Sequence, residues 1–376
     1  MNTAVKIMFG PLLLTLLLQS CGNTDGEVRI GVILPLTGDF KSDGGDAESV
    51  LSPAQQEARR GDLDVNFIIL DNESSPKRTI ECVMELIEKN VSIIVGPLYS
   101  VNAKAAAPAA EEGGTPLLLP LATLPGVTNN KYAFRACFTD TWQAHAMADY
   151  VFEVLELRSM VSITNLGDHY SVGLSRDFEA RFSELGGEII GRSYYRTLID
   201  ESTRILEYLA ATSPDLVFIP CYDQDAISFL KAAEGVLSSL TIVGSDGWDT
   251  RDFRETEIPP GTDCPMLISN HFNLSVDGPA RQSEKLGPKP GQAAALTYDA
   301  LQIAVEAVRL AISAAPGDVM EALAALDNFS GVTGNFNYAG GKNGDPLKPV
   351  FIQEIRRGAD GLPVFVDLES RMVDYY

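Results

Sequence analysis

Short apolar runs rich in β-branched residues recur along most of this chain, each followed by a segment with helical spacing, and this alternation constrains the fold more than any other feature. "VRIGVILPL", "VNFIIL" and "VSIIVG" come first, and "PLLLPLA" adds another buried-strand candidate. Continuous apolar runs with no inward and outward alternation belong to strands buried on both faces, so the rhythm predicts α/β architecture with parallel sheets covered by helices on either side.

The intervening segments support that reading. Between Asn72 and Asn90, Pro76 suits an early helix position and Ile80, Val83, Met84 and Ile87 form a helical stripe, which makes Cys82 packing material beside it. "VNAKAAAPAAEEGG" predicts a second helix, stopped by Gly113-Gly114 despite Pro108. A second cycle starts near Trp142, where Ala144, Met147, Ala148, Val151, Phe152 and Leu155 share a helical face before "MVSIT". Phe178, Phe182 and Leu185 mark the next helix, followed by "EIIGRSY", a helix around 204–211, "DLVFIP", a helix over 225–234 and "LTIVGSD". No internal sequence repeat is visible. The last third offers helices over 292–314 and 318–326, a turn-rich "FSGVTGNFNYAGGKNGDPL", and short strands "PVFIQEI" and "LPVFVDL". It has too few strands for a sheet of its own, so parts of it are expected to return to each of two lobes.

With 376 residues, 45% hydrophobic and 21% charged, the chain is long enough for more than one core. Its start has a positive charge at Lys6, an apolar run from Pro11 to Leu18 and small or polar residues before Cys21, and so reads as a secretory signal over residues 1–20. "LQSC" resembles a bacterial lipoprotein processing site, with Cys21 the lipidated first residue and 21–27 a polar tether; the alternative is a free secreted protein cut near Cys21. A net charge of −22 opposes binding to nucleic acid or anionic lipid, and no basic stripe interleaved with aromatics is present. Cys82, Cys137, Cys221 and Cys264 allow three complete disulfide pairings, between which spacing does not choose. Scattered histidines at 145, 169 and 271 and the lack of a Cys-x-x-Cys pair argue against a zinc site.

Parallel α/β sheets bind ligands beyond the carboxyl ends of their strands. Four strand exits therefore invite comparison, "GPLYSVNAKA", "PLATLPG", "GDHYSVGL" and "GSDGWD", and "PCYDQD" adds Tyr222 and Asp223 at the exit of another strand. Ser100, Asn102, Ala122 and Thr123 offer hydroxyl or backbone groups for a small carboxylate, against the alternative of ordinary caps and turns. Tyr170 and Tyr222 combine an apolar face with a polar handle, or cap the core. Asp246 suits a ligand ammonium, or alternatively an N-cap, and Trp248 either shapes that corner or packs behind it. Cys221 at a strand exit lacks a positioned histidine base, His169 beside Asp168 makes no triad, and "GxSxG", phosphate-loop and "HExxH" signatures are absent. No bond chemistry, metal or cofactor is implied.

"VRIGVILPLTG", "VSIIVGPLYS", "PLATLPGVT", "YAFRACFTDTWQA", "GDHYSVGLSRDFEARFSELGGEI", "PDLVFIPCYDQD", "IVGSDGWD", "TYDALQIAVEAVRLA" and "FSGVTGNFNYAGGKNGDP" occur in order over nearly the whole processed chain. Together they resemble the bacterial periplasmic binding proteins for leucine, isoleucine and valine, within the type I amino-acid-binding components of ABC uptake transporters. The resemblance implies two similar three-layer α/β lobes joined by three crossovers, 28–140 with 272–345 and 141–271 with 346–376. It implies a monomer, exported and lipid-anchored in the cell envelope, that binds a small amino acid or related amide in the interlobe cleft and delivers it to ABC permease subunits. It further implies carboxylate contacts from Ser100, Asn102, Ala122 and Thr123, opposing contacts from Tyr170 and Tyr222, Asp246 as receiver of the α-ammonium, and Phe40 as a covering aromatic. Asn102 in place of a small hydroxyl residue, the bulk of Tyr99 and Trp142, and a shortened region after Phe40 depart from the pattern and leave open whether the ligand is aliphatic, aromatic, polar or an amide. The alternatives are a chemosensory receptor component with the same closure, and a small-molecule hydrolase.

Overall fold

The computed structural model describes residues 27–61, 63–233, 240–262, 264–273, 286 and 290–372. The leader and Cys21 lie outside the described residues. The first apolar runs become β1 (Val28–Leu34), β2 (Val65–Asp71), β3 (Ile93–Val95), β4 (Leu117–Leu119) and β5 (Ala133–Arg135), all parallel in the order β2-β1-β3-β4-β5. Between them run α1 (Lys41–Ser49), α2 (Leu51–Arg60), α3 (Pro76–Glu88) and α4 (Ser100–Glu112). Pro76 and the Ser75 hydroxyl, which accepts from the Arg78 amide at 3.3 Å, fix the start of α3. Pro108 is tolerated in α4 because it and Lys104, whose carbonyl it leaves without its helical donor, are both on the exposed side.

The expected stripe on α3 is rotated. Thr79, Cys82, Val83 and Leu86 face inward, whereas Ile80 and Met84 are exposed. Thr79 turns in because its hydroxyl accepts from the amides of Asn72 and Asn102, both at 3.1 Å. An apolar count cannot see a buried threonine whose hydrogen bonds are met.

The second cycle gives α5 (Asp140–Asp149), continued by a π-helical turn at Tyr150–Val154, then β6 (Ser159–Asn165), α6 (His169–Glu184), β7 (Glu188–Tyr195), α7 (Leu198–Thr212), β8 (Leu216–Phe218), α8 (Asp223–Ala232), β9 (Thr241–Val243), α9 (Arg251–Arg254) and β10 (Met266–Asn270). These strands order as β7-β6-β8-β9-β10, the arrangement of β1 to β5 over again. The repetition absent from the residues is therefore present in the topology. The chain then builds α10 (Gln292–Leu310), which stops short of the expected 314 because Ala311 turns extended, and α11 (Pro316–Ala324). α10 packs on the first lobe against α1 and α2.

The segment read as turn-rich folds instead as a three-stranded antiparallel sheet, β11 (Phe329–Gly331), β12 (Gly334–Lys342) and β13 (Asp345–Leu347). Asn343 and Gly344, at φ 52° and 80°, supply the positive backbone angles of a tight hairpin between β12 and β13. β14 (Val350–Arg357) and β15 (Pro363–Arg371) extend the second sheet in antiparallel sense beside β10. The chain thus passes between the two large sheets after β5, after β10 and after β13.

In each sheet the strand order reverses at one place, between β1 and β3 and between β6 and β8. Loops leaving the strands there diverge and open a crevice.

Candidate functional site

The two crevices face each other. One cavity is lined from the first lobe by Asp43, Leu98, Tyr99, Ser100, Leu121 and Thr123, and from the second by Tyr170, Tyr222, Asp246, Gly247 and Thr250, with Gln292 at the start of α10. It encloses about 20 Å³, space for about one water molecule, so an amino-acid-sized ligand enters only as the lobes part. The lobes meet across it through Ser42 and Asp252 at 2.7 Å, Arg251 and Asp46 at 2.7 Å, and Gln292 Nε2 donating to the Asp246 carbonyl at 2.6 Å.

Asp246 ends the buried run of β9 and enters a single 3₁₀ turn, Asp246–Trp248, whose N-cap is Ser245. Its carboxylate caps no helix. Oδ1 accepts from the Tyr170 hydroxyl at 2.5 Å, and Oδ2 lies 3.0 Å from His271 Nε2. His271 is fully buried, its ring stacked on Phe138 at 3.7 Å, and burial holds its pKa below the usual histidine range. Nε2 of a neutral His271 is then the protonated nitrogen and donates to Asp246. Gly247 is required at the next position. A Cβ there would stand 2.8 Å from the Cys221 carbonyl and 3.1 Å from the Tyr222 ring. Trp248 points the other way, wholly buried in the second-lobe core near Phe253. Trp142 packs with Phe138, Ala146 and Val350 and does not line the cavity.

Aromatic rings form one wall. Phe40 stacks on Tyr99 at 3.7 Å, Tyr99 meets Tyr222 edge-on at 5.5 Å, and Tyr222 stacks on Tyr170 at 5.0 Å, so the wall crosses from lobe to lobe. Of the eight sequence candidates for ligand contact, Ser100, Thr123, Tyr170, Tyr222 and Asp246 line the cavity, and Phe40 adjoins it through Tyr99. Two depart from expectation. Asn102 gives its amide to Thr79 beneath α4, since a residue two places into a helix points back into the lobe. Ala122 lies in the core, and its carbonyl accepts from Arg135 Nη1 at 2.8 Å and from the Cys137 thiol. Arg135, also bonded to the Leu124 carbonyl at 3.0 Å and to Asp345 at 2.6 Å, thereby holds the loop that presents Thr123.

Four polar contributors escaped the sequence reading, one of them Thr250, whose hydroxyl donates to Asp223 at 2.7 Å. Asp43 is buried with its carboxylate on the Tyr99 hydroxyl, Gln292 opens α10, and His271 follows β10. The available signal for Asp43 was its place in the first turn of α1, the helix that follows β1, on the same sheet end as Ser100. Burial raises its pKa to about 7, and burial with repulsion from Asp246 raises that of Asp140 to about 8. Cys82, Cys137 and Cys221 are buried free thiols, each pushed up by burial, with Cys82 at about 11. Asp168 caps α6, accepting from the Tyr170 amide at 3.1 Å, and so is not paired with His169 for chemistry. Among the described residues no cluster of histidine, cysteine, aspartate or glutamate has metal-binding geometry, and no helix is long and apolar enough to cross a membrane.

Residues 27–361 match the family described as periplasmic binding protein. Leu/Ile/Val-binding protein BraC3 of Rhizobium johnstonii is 23% identical over 233 residues, a match covering 60% of this chain and 63% of that protein. Leu/Ile/Val-binding protein homolog 1 of Brucella melitensis is 22% identical over 383 residues, covering 95% of this chain and 98% of its own. Among solved structures, the leucine binding protein LivK of Thermotoga maritima superposes with a TM-score of 0.80 at 28% identity, over 91% of this chain and 98% of that one. A solute binding protein from Rhodopseudomonas palustris in complex with 3,4-dihydroxybenzoic acid gives 0.80 at 18% identity, over 92% and 97%. The expected type I periplasmic binding fold, with mostly parallel sheets, is the one observed.

Proposed function

This chain belongs to the periplasmic binding protein family, and on that premise we propose that it binds an amino acid, or a related amide, outside the cytoplasm and delivers it to an ABC permease. The observation that carries the reading is the Asp246 carboxylate at the cleft, buried, oriented by Tyr170 and His271, and faced across the cavity by Ser100 and Thr123. An ammonium on Asp246 forms a charge-assisted hydrogen bond in a site shielded from water. A carboxylate near Ser100 meets the amides of the first turn of α4, where the helix dipole favours negative charge. The two lobes are 28–140 with 272–345 and 141–271 with 346–376, and a monomer tethered by lipid at Cys21 would present both to the permease.

Closure follows from the distribution of contacts. A zwitterion touches both lobes only when they are together, so its affinity for the closed form exceeds that for the open form, and it shifts the equilibrium by that difference. The closed surface is then the signal read by the permease. Titration calorimetry on the purified protein tests the reading: an L-amino acid binds saturably without turnover, and Asp246→Ala abolishes the heat while the variant still melts cooperatively. Binding unchanged by a folded Asp246→Ala variant would remove the assigned role.

A benzoate-type acid, as in the Rhodopseudomonas complex, is less suited to this cavity. Its only charged group is a carboxylate, and Asp43 and Asp246 both line the space.

A further inference from the structure

Two buried acceptors in the cavity lack hydrogen-bond partners. Asp43 is 4% exposed; its carboxylate takes the Tyr99 hydroxyl on Oδ2, and Oδ1 has no partner. Gln292 is 3% exposed; Nε2 donates to the Asp246 carbonyl at 2.6 Å, and Oε1 has no partner. The amide cannot be turned over, since its nitrogen must face that carbonyl. Both residues line the same space as Ser100, Thr123 and Asp246. A buried polar group without a partner is costly, and with Asp43 ionised both such atoms call for donors.

The surroundings narrow the donor further. Phe40, Tyr99 and Tyr222 place ring faces and edges beside Asp43, and ring faces attract cations. The α9 arginines are already engaged, Arg251 by Asp46 at 2.7 Å and Arg254 by Asp249 at 2.5 Å. A wider groove between α6 and β7, about 400 Å³, contrasts with this site: there Thr164 bonds Ser175 at 2.7 Å and Arg192 bonds Glu179 at 2.8 Å. Those groove groups pair with one another, whereas Asp43 Oδ1 and Gln292 Oε1 in the cleft have no partner.

Resting on the amino-acid reading above, we propose that the ligand is a basic amino acid, whose side-chain ammonium or guanidinium is received by Asp43 Oδ1 and Gln292 Oε1 while its α-ammonium is held at Asp246. Asp43 is then the specificity-determining residue of the cleft. An aliphatic side chain in the same place leaves both acceptors buried without donors, and the cleft discriminates against it for that reason. The repulsion that Asp43 receives from Asp223, Asp46 and Asp249 points the same way, because an arriving cation relieves it.

Calorimetry with L-lysine, L-arginine, L-norleucine and L-leucine tests this on the wild-type protein. L-lysine or L-arginine is expected to bind at least about tenfold more tightly than L-norleucine, which has the shape of lysine without its charge, and Asp43→Asn is expected to erase that preference. Tighter binding of L-leucine or L-norleucine than of either basic amino acid, with Asp246→Ala still abolishing it, would overturn the assignment of Asp43 and leave the parent reading standing. No heat with any L-amino acid would overturn both. The wild-type panel decides the matter even if Asp43→Asn does not fold.

Discussion

The two faces of the cleft are built on the same strand order, yet their acidic residues stand in opposite states. In the second lobe, Asp246 has both carboxylate oxygens engaged, by Tyr170 and His271. In the first lobe, Asp43 has one oxygen on Tyr99 and one without a partner, and Gln292 from α10 is similarly half used. Full engagement fixes a carboxylate in position while leaving its charge to be met by a ligand. Partial engagement marks the place where hydrogen-bond capacity is left over. On the proposed amino-acid reading, the second lobe would be the fixed receptor of what all amino acids share, and the first the reader of what distinguishes them.

The comparison can be broken most severely at Asp246. Replacing it by alanine is expected to weaken amino-acid binding by roughly 100-fold or more, the scale for removing one member of a buried charge pair, as titration calorimetry would show. A smaller loss, about tenfold, is expected for Tyr170→Phe, which deletes one hydrogen bond to Asp246 and keeps the ring stacked on Tyr222; an unchanged dissociation constant would mean that Tyr170 serves packing alone. Arg251 joins the lobes through Asp46 but is half exposed, so Arg251→Ala should weaken binding only about threefold, with small-angle scattering showing a more open apo protein.

The last expected effect is read in melting temperature and leaves the cleft comparison itself least changed: it is on stability and its pH dependence. The folded pKa of Asp140 lies at about 8, above its ordinary 3.8, so between these values the folded state retains a proton that the unfolded chain has released. Its favourable contribution is complete below the unfolded pKa and is lost as pH rises through about 8. Asp43 adds a similar loss through about 7. Melting temperatures measured from mildly acidic to mildly alkaline pH should thus fall more steeply for the wild type than for Asp140→Asn. Parallel curves would show that Asp140 is not protonated in the folded state.

Much of the fold was legible because strand burial on two faces leaves a local trace. "VSIIVG" and "LTIVGSD" announce β3 and β9 by composition alone, and Pro76 announces the start of α3. The small sheet from β11 to β13 was not legible, since its strands mix glycine, asparagine and lysine and read as turns until they pair. Within the site, Ser100, Thr123, Tyr170, Tyr222 and Asp246 were visible as polar residues directly after apolar runs. Asn102 shared that location and still turned away, because helical geometry rotates each successive side chain by a third of a turn or so. Gln292 left no trace at all. It reaches Asp246 only through the return of α10 to the first lobe.

The sequence by itself determined an α/β chain with two cycles of buried parallel strands, and put most of its candidate site residues at strand ends, since periodicity and turn chemistry are encoded within a few neighbouring residues. Tertiary structure alone decided that Asp246 faces the cleft while Trp248 faces the core, that Asp43 stands in the same cavity, and that Gln292 joins them. Such choices depend on which distant groups offer a hydrogen bond or a packing surface, and residues like Gln292 and Asp246 meet only after two passages of the chain between the lobes, those after β5 and β10, have been laid down.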